Sequence, residues 1–486
     1  MYIVFINPQG NFDHNDSYWT MHPDFGGQLV YVKEIAMALS SLGHQVDIIT
    51  RQFDDSRFPE FKEQFDYYDN TKNPRIVRIP CGPTSFLNKE DLWPLLEEWV
   101  TNIVHFFESN HQYPDFITGH YGDGGIASAL LKSKIHRPYS LTGHSLGAQK
   151  LEKLGATKST YESLDHKYHF TKRLLAERNA ILNADLLFVS TKQERDEQYT
   201  HELYLDVAKD VFDRKAFVIS PPGANTTTFT SNPSSLDPSI FSRLEKVLER
   251  DILPSRRDLP YLVLASRLDP KKNHLGVLRA YAEDTSLQEQ VNIAISLRGI
   301  ENAFVDFSSA KNDELEILTE MMQIIKESHL EGHISFLSIN SQQELASFYR
   351  LSAKKKSIFV LTSLYEPFGL APIEAMSSGL PAVVTKNGGP ADVLYENEVA
   401  YGILVDPFDT VDIAKGIHKM LKNYEYYQQA GKKRVHDKYT WNATALAYIN
   451  AMKNLGTTAR INLDLSLEQE NKLKKRILSF LPDKGV

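Results

Sequence analysis

The chain has 486 residues, 42% hydrophobic and 24% charged, with 54 basic against 62 acidic side chains and a net charge of −8. This is the composition of a globular protein long enough for two cores, and it argues against a nucleic-acid partner held by bulk charge. A single cysteine, Cys81, excludes an intrachain disulfide. Asn7-Pro8 cuts short the apolar start, which has no basic leader, and no apolar run approaches the roughly 18 residues of a membrane span, so a cytoplasmic protein is expected.

Tyr2 to Ile6 reads as a strand, and a Gly- and Asp-rich loop follows to Gly27. Leu29, Val32, Ile35, Ala36 and Leu39 mark one face of a helix that Gly43 ends, and Val46 to Thr50 is the next strand. The unit is βαβ. Further strands are expected at Phe116 to Gly119, Pro138 to Thr142, Leu186 to Ser190 and Ala216 to Ser220. Pro221-Pro222-Gly223 breaks the series, and a polar stretch to about Ser235 reads as a connection.

A second series of strands runs through Tyr261 to Ala265, Val291 to Leu297, His333 to Leu337, Ser357 to Thr362, Pro381 to Thr385 and Gly402 to Val405. Short apolar strands alternating with amphipathic helices predict α/β architecture with parallel sheets. Two doubly wound, Rossmann-like halves are expected, residues 1–224 and 225–456, with a cleft between them as the active site. In the tail, 457–486, the residues Leu467, Leu473, Ile477 and Leu481 predict a helix packed back on the body.

Two motifs in the second half carry chemistry. In Thr362 to Gly379, a strand, a Gly-containing turn and a helix place Glu366 before the helix and Glu374 within it. Free amides of a first helical turn suit a phosphate, and two acids beside an anion suit sugar hydroxyls. In Ser266-Arg-Leu-Asp-Pro-Lys-Lys-Asn273, Arg267 and Lys272 follow a strand. A loop at the carboxyl end of a parallel strand faces the ligand crevice, so both cations can converge on one anion. Asn387-Gly-Gly-Pro390 adds another Gly-rich turn. No Asp-x-Asp metal site is evident and no cofactor is called for.

With these residues the second half resembles the donor domain of retaining glycosyltransferases of the GT-B fold, in which Glu-x7-Glu and Arg-x4-Lys motifs bind a nucleotide sugar. The first half is similar to bacterial sucrose-phosphate synthases, relatives of sucrose synthases. The segments that carry this are Asn7-Pro-Gln-Gly-Asn11, Asp16 to Thr20, His22 to Lys33, His120-Tyr-Gly-Asp-Gly-Gly125 and Thr142-Gly-His-Ser-Leu-Gly-Ala-Gln-Lys150. The similarity covers residues 1 to about 455.

What the resemblance implies is transfer of glucose from a nucleoside diphosphate, UDP-glucose first, to fructose 6-phosphate. Arg267 and Lys272 would hold the phosphates, Glu374 the ribose and Glu366 the glucose hydroxyls, with Phe368, Gly369, Leu370 and Ala371 at phosphate and sugar. Gly26, Gly27 and Gln28 would line the meeting point of donor and acceptor, and His144 would sit against the transferred sugar. Lys89, Tyr121, Lys150, Arg173 and Arg178 would serve the acceptor and its phosphate, although Arg173 and Arg178, five apart on one helix, do not share a stripe. Sucrose synthase and mannosylfructose-phosphate synthase activities are related alternatives. Closure about Pro221 to Gly223 is expected, the chemistry needs no metal, and a separate sugar phosphatase would complete the route.

Two readings from other classes compete. Gly143-His-Ser-Leu-Gly147 matches the nucleophile elbow of serine hydrolases, with Ser145 as nucleophile. No His-Gly-Gly-Gly oxyanion motif precedes it, and the second Rossmann-like half would go unexplained. A non-catalytic nucleotide-sugar sensor would have lost site residues, yet both acids and both cations are present.

Overall fold

The computed structural model describes residues 1–9, 11–18, 27–68, 72–310, 313–366, 368–456 and 458–483. The chain divides into two compact units. Unit 1 comprises Met1–Pro221 and Thr444–Val486, and unit 2 comprises Pro222–Ala443.

Unit 1 is built on β1 (Tyr2–Ile6), β2 (Gln45–Gln52), β3 (Phe65–Tyr67), β4 (Arg75–Pro80), β5 (Phe116–His120), β6 (Tyr139–Thr142), β7 (Leu186–Val189) and β8 (Phe217–Ile219). The sheet order is β3-β4-β2-β1-β5-β6-β7-β8. All pairs are parallel except β3 with β4. β1 and β5 are neighbours, so the strand order reverses between them. In a doubly wound sheet that reversal opens a crevice at the carboxyl ends of the two strands.

The sequence reading contains neither β3 nor β4. Arg75 and Arg78 break the apolar signal of Arg75-Ile-Val-Arg-Ile-Pro80, yet both find acceptors in place. Arg75 donates to Asp47 Oδ1 and Oδ2 at 2.9 and 2.6 Å, while the buried Arg78 reaches Asp66, Glu63 O and Phe12 O. A buried guanidinium is tolerated when carboxylate and carbonyl oxygens take up its donors.

Unit 2 carries β9 (Tyr261–Leu264), β10 (Asn292–Leu297), β11 (Ile334–Ser338), β12 (Ile358–Leu361) and β13 (Ala382–Thr385). A short hairpin, β14 (Tyr395–Glu396) with β15 (Val399–Ala400), precedes β16 (Ile403–Val405). The main sheet is parallel, in the order β11-β10-β9-β12-β13-β16. Its reversal lies between β9 and β12. The loops that follow these two strands carry the two motifs of the second half.

The division at Pro221 and Pro222 lies beside the one expected at residue 224, but the second half ends at Ala443 rather than at 456, and the chain from Thr444 on belongs to unit 1. Tyr448 decides this. Its ring stacks on Phe188 at 3.6 Å, and its hydroxyl meets Thr142 Oγ1 at 2.9 Å and the Tyr31 hydroxyl at 3.1 Å. Farther on, the segment before the last helix is held by the helix Phe170–Asn183. Asn179 exchanges hydrogen bonds of 3.1 and 2.9 Å with the backbone of Asp464, and Asn183 bonds the backbone of Asn462 in the same way. Four helical residues rise about 6.0 Å and two extended residues about 6.6 Å, so the two carboxamides match alternate residues of the strap. The last helix, Leu467–Phe480, buries Leu473 and Ile477, with Leu481 buried just beyond it, while Leu467 stays 70% exposed.

Candidate active site

In unit 2, β9 ends at Leu264, and Asp269 caps a turn at Pro270–Lys272 by accepting from the Lys271 amide. Asn273, at φ +55°, then caps the helix His274–Glu283. The turn brings Lys272 Nζ within 2.6 Å of Glu366 Oε2, which also accepts from Ser363 Oγ at 3.1 Å. Glu366 is fixed by its backbone as well. Its amide donates to Asn387 O, and its carbonyl accepts from the Gly389 amide. Gly388 has φ +102°, and a Cβ there would lie 2.1 Å from Glu366 O, so this close approach needs glycine. The Asn387-Gly-Gly-Pro390 turn therefore locks the loop that bears Glu366.

Gly369, at φ +93°, starts the helix Leu370–Ser377. Phe368 is buried against Tyr439, while Leu370, Ala371 and Glu374 are half-buried. Lys272 and Glu366 are 24% and 12% exposed, so the pair can still meet a ligand. Arg267, by contrast, lines a cavity of about 310 Å³ with Ser296, Arg298, Ile339, Ser341 and Gln342, at the carboxyl ends of β9, β10 and β11. Arg298, Ser341 and Gln342, which line this cavity, are absent from the sequence reading. Their signal was their place after successive strands, which only the strand order makes informative. His274 is buried behind this loop, and burial first, then the Lys272 charge, pushes its imidazole down to about 4.

In unit 1, the loop after β6 is held from one side by an ion pair. Arg173 donates through Nε to Glu177 Oε1 at 2.8 Å and through Nη2 to Ser145 O at 2.7 Å. Glu177 also accepts from the Gly147 amide, at 3.1 and 2.9 Å, and from the Tyr204 hydroxyl. Arg173 and Glu177 are both buried, one helical turn apart on one stripe. Burial alone would lower the Arg173 guanidinium, but Glu177 and then Tyr121 hold it above its ordinary value. The guanidinium lies 4.6 Å over the Tyr121 ring. Burial raises the Tyr121 phenol, and the charges of Arg173 and Lys89 oppose that rise.

Arg178 is not part of that cluster. It donates to Asp206 and to Leu203 O, and it borders a hollow with Asn462 and Asp464. Five residues rotate a helix by about 140° from Arg173, so one faces the loop after β6 and the other the strap. Lys150 lies 4.5 Å over Tyr168. Gly27 and Gln28 open the helix Gly27–Ser41, and Gly26 lies outside the described residues.

His144 has φ +57° and meets His120 through a 2.9 Å contact from its Nε2 to His120 Nδ1. Tyr31 meets the His144 ring edge-on at 4.9 Å. Burial pushes the His144 imidazole down to about 4 and His120 well below its ordinary value. Both rings are therefore neutral at pH 7. Asp123, beyond Tyr121, is buried and accepts from Gln9 Nε2 at 2.9 Å and from the Gly124 amide at 2.8 Å, while burial raises its carboxyl to about 7.

A nucleophile elbow strains the serine itself. Here the positive φ falls on His144, Ser145 Oγ bonds no histidine among the described residues, and the Ser145 carbonyl is spent on Arg173. Among the described residues no group of three His, Cys, Asp or Glu side chains is arranged to hold a metal ion, and no helix is long and apolar enough to cross a membrane.

Comparison with known proteins reaches both units. Residues 246–435 match the group 1 glycosyl transferases, and residues 1–235 match the first GT-B domain of sucrose synthase. A probable sucrose-phosphate synthase of Thermosipho melanesiensis is 43% identical over 93% of this chain and 96% of its own. The chain belongs to the sucrose-phosphate synthase family. It is thus an enzyme, a glycosyltransferase of GT-B fold in sucrose synthesis. The Zea mays sucrose-phosphate synthase is 31% identical over 92% of this chain, which spans 47% of that longer protein. A solved sucrose-phosphate synthase from Thermosynechococcus elongatus shares the fold, with a TM-score of 0.63 and 22% identity, covering 94% of this chain and 99% of its own.

Proposed function

We propose that the enzyme moves glucose from UDP-glucose to fructose 6-phosphate, forming sucrose 6-phosphate with retention at the glucose anomeric carbon. The observation that carries this is the Lys272–Glu366 pair, held at the strand reversal of unit 2 by the Asp269-capped turn and the Gly-rich turn Asn387 to Pro390. In this reading Lys272 and Arg267 neutralise the departing diphosphate, Glu366 orients the sugar, Glu374 takes the ribose, and the cavity beside Arg267 takes the base. Buried Arg173, with Lys89 and Lys150, receives the acceptor's phosphate, for which a guanidinium offers several directed donors.

The chemistry follows from charge. The bond from the glucose anomeric carbon to the diphosphate oxygen breaks, a bond to the anomeric oxygen of fructose forms on the same face, and the acceptor's proton passes to the departing phosphate. Fixed cations strengthen that phosphate as a leaving group. Glu366 is committed to Lys272 and Ser363 and acts as a positioning group rather than as a base.

The test is a matrix of UDP-, ADP- and GDP-sugars against fructose, fructose 6-phosphate and glucose 6-phosphate, with the disaccharide identified and a chelator arm. UDP-glucose with fructose 6-phosphate is expected to dominate and to survive chelation. Equal use of free fructose would point to sucrose synthase activity, a GDP-mannose preference to a mannosylfructose-phosphate synthase, and strict dependence on a divalent ion would overturn the metal-free reading.

A further inference from the structure

His144, half-buried, is one end of a chain of three groups. Thr118 Oγ1 lies 3.1 Å from His120 Nε2, and His120 Nδ1 lies 2.9 Å from His144 Nε2. The two imidazoles lie 5.2 Å apart at 30°, and Phe5 covers the His120 ring at 5.4 Å. Thr118 and His120 are fully buried. His144 Nδ1 bonds no other group among the described residues.

A neutral imidazole carries one N–H and one bare nitrogen. Of the two nitrogens that face each other at 2.9 Å, one must hold the proton. The tautomer of His120 therefore sets that of His144, and Thr118 sets the direction. Among the described residues His120 is the one partner of the Thr118 hydroxyl. Were that hydroxyl to accept from His120, its own proton would be buried with no acceptor, which is the costly arrangement. The hydroxyl therefore donates to His120 Nε2, His120 Nδ1–H donates to His144 Nε2, and the His144 proton is left on Nδ1.

We propose that Thr118 and His120 are positioning residues that fix His144 as an Nδ1–H donor to a sugar hydroxyl oxygen. This rests on the reading of His144 as a sugar contact. The loop backbone is already held from the other side, by Arg173 on Ser145 O and by Glu177 on the Gly147 amide. What remains for His120 is the rotation and tautomer of the ring. A donor aimed in advance needs no reorganisation during transfer.

Three variants test this. His120→Phe keeps the stack on Phe5 without a donor. His120→Asn places an amide N–H where Nδ1 stood, and Thr118→Val removes the hydroxyl at constant shape. Nitrogen NMR of histidine-labelled protein, assigned with His144→Gln, reads the tautomer without any substrate. Wild type and His120→Asn should show His144 protonated on Nδ1, and His120→Phe and Thr118→Val should shift it toward Nε2. In the transferase assay His120→Phe should lose about 100-fold in kcat, the scale of one lost transition-state donor, with KM for both substrates within about twofold and His120→Asn recovering most of the rate.

Wild-type His144 protonated on Nε2 would overturn the direction of the chain. His120→Phe at full kcat, or His120→Asn as slow as His120→Phe, would overturn the positioning role. A wild-type protein without glucosyl transfer would sink the proposed function instead, and the NMR result would still decide the chain.

Discussion

The two sites are built by opposite means. In unit 2, Lys272 and Glu366 are partly exposed, come from two loops with short motifs, and are aimed by backbone, above all by Gly388 against Glu366 O. In unit 1, Arg173, Glu177, His120 and His144 are held by one another, from three separate elements, with strong shifts at Arg173 and both histidines. An open pair keeps its charge for the ligand and contributes little to folding. A buried network cannot lose a member cheaply, because the partner is left charged and unsolvated.

The comparison breaks hardest at Glu177. Glu177→Leu strands the Arg173 charge, the Gly147 amide and the Tyr204 hydroxyl together, and a loss of roughly 3–5 kcal/mol in denaturant unfolding is expected. Lys272→Ala should do the reverse. Unfolding should change by less than about 1 kcal/mol, while kcat falls by two to three orders of magnitude, roughly 3–4 kcal/mol of barrier. If the stability loss at Lys272 matched that at Glu177, the contrast between the sites would fail.

Asp123 sharpens the comparison through pH. Its carboxyl rises from 3.8 unfolded to about 7 folded, because burial favours the protonated form. The folded state then binds more protons than the unfolded one, so this group's stabilising contribution is complete below about pH 4 and is lost as pH rises toward 7. Asp123→Asn keeps an acceptor for Gln9 and Gly124, and its melting temperature relative to wild type should increase steadily from pH 4 to pH 7.5. A constant difference would show that the carboxyl titrates normally. A rise from 3.8 to about 7 corresponds to ~4 kcal/mol at most.

The smallest effect is expected at Arg178. Arg178→Ala should leave KM for the phosphorylated acceptor unchanged and cost under about 1 kcal/mol, because its partner Asp206 is about half exposed. A tenfold rise in that KM would return Arg178 to the acceptor site.

Much of unit 2 was legible because its signals are local. A strand, a tight turn and a helix start lie within a dozen residues at both Arg267–Lys272 and Glu366–Glu374, and the loop ends of parallel strands are where ligands bind. In unit 1 only resemblance named His144, Arg173 and Tyr121; the five-residue spacing already separated Arg178 from Arg173, but which of the two faces the loop after β6 needed the packing of the helix. β3 and β4 were illegible because Arg75 and Arg78 look like surface charges until Asp47 and Asp66 are found opposite.

The sequence by itself determined the α/β alternation, the two parallel series and the two charged turns of unit 2, since each depends on hydrophobic period and turn chemistry over a few residues. Only the tertiary structure decided which cations meet which anions, that Thr118, His120 and His144 form one hydrogen-bonded line, and that the chain from Thr444 returns to unit 1. Those outcomes rest on pairs far apart in the chain, such as Thr142 with Tyr448, 306 residues away. No periodicity in a sequence encodes such a pair, because it forms only once burial has brought both partners to the same place.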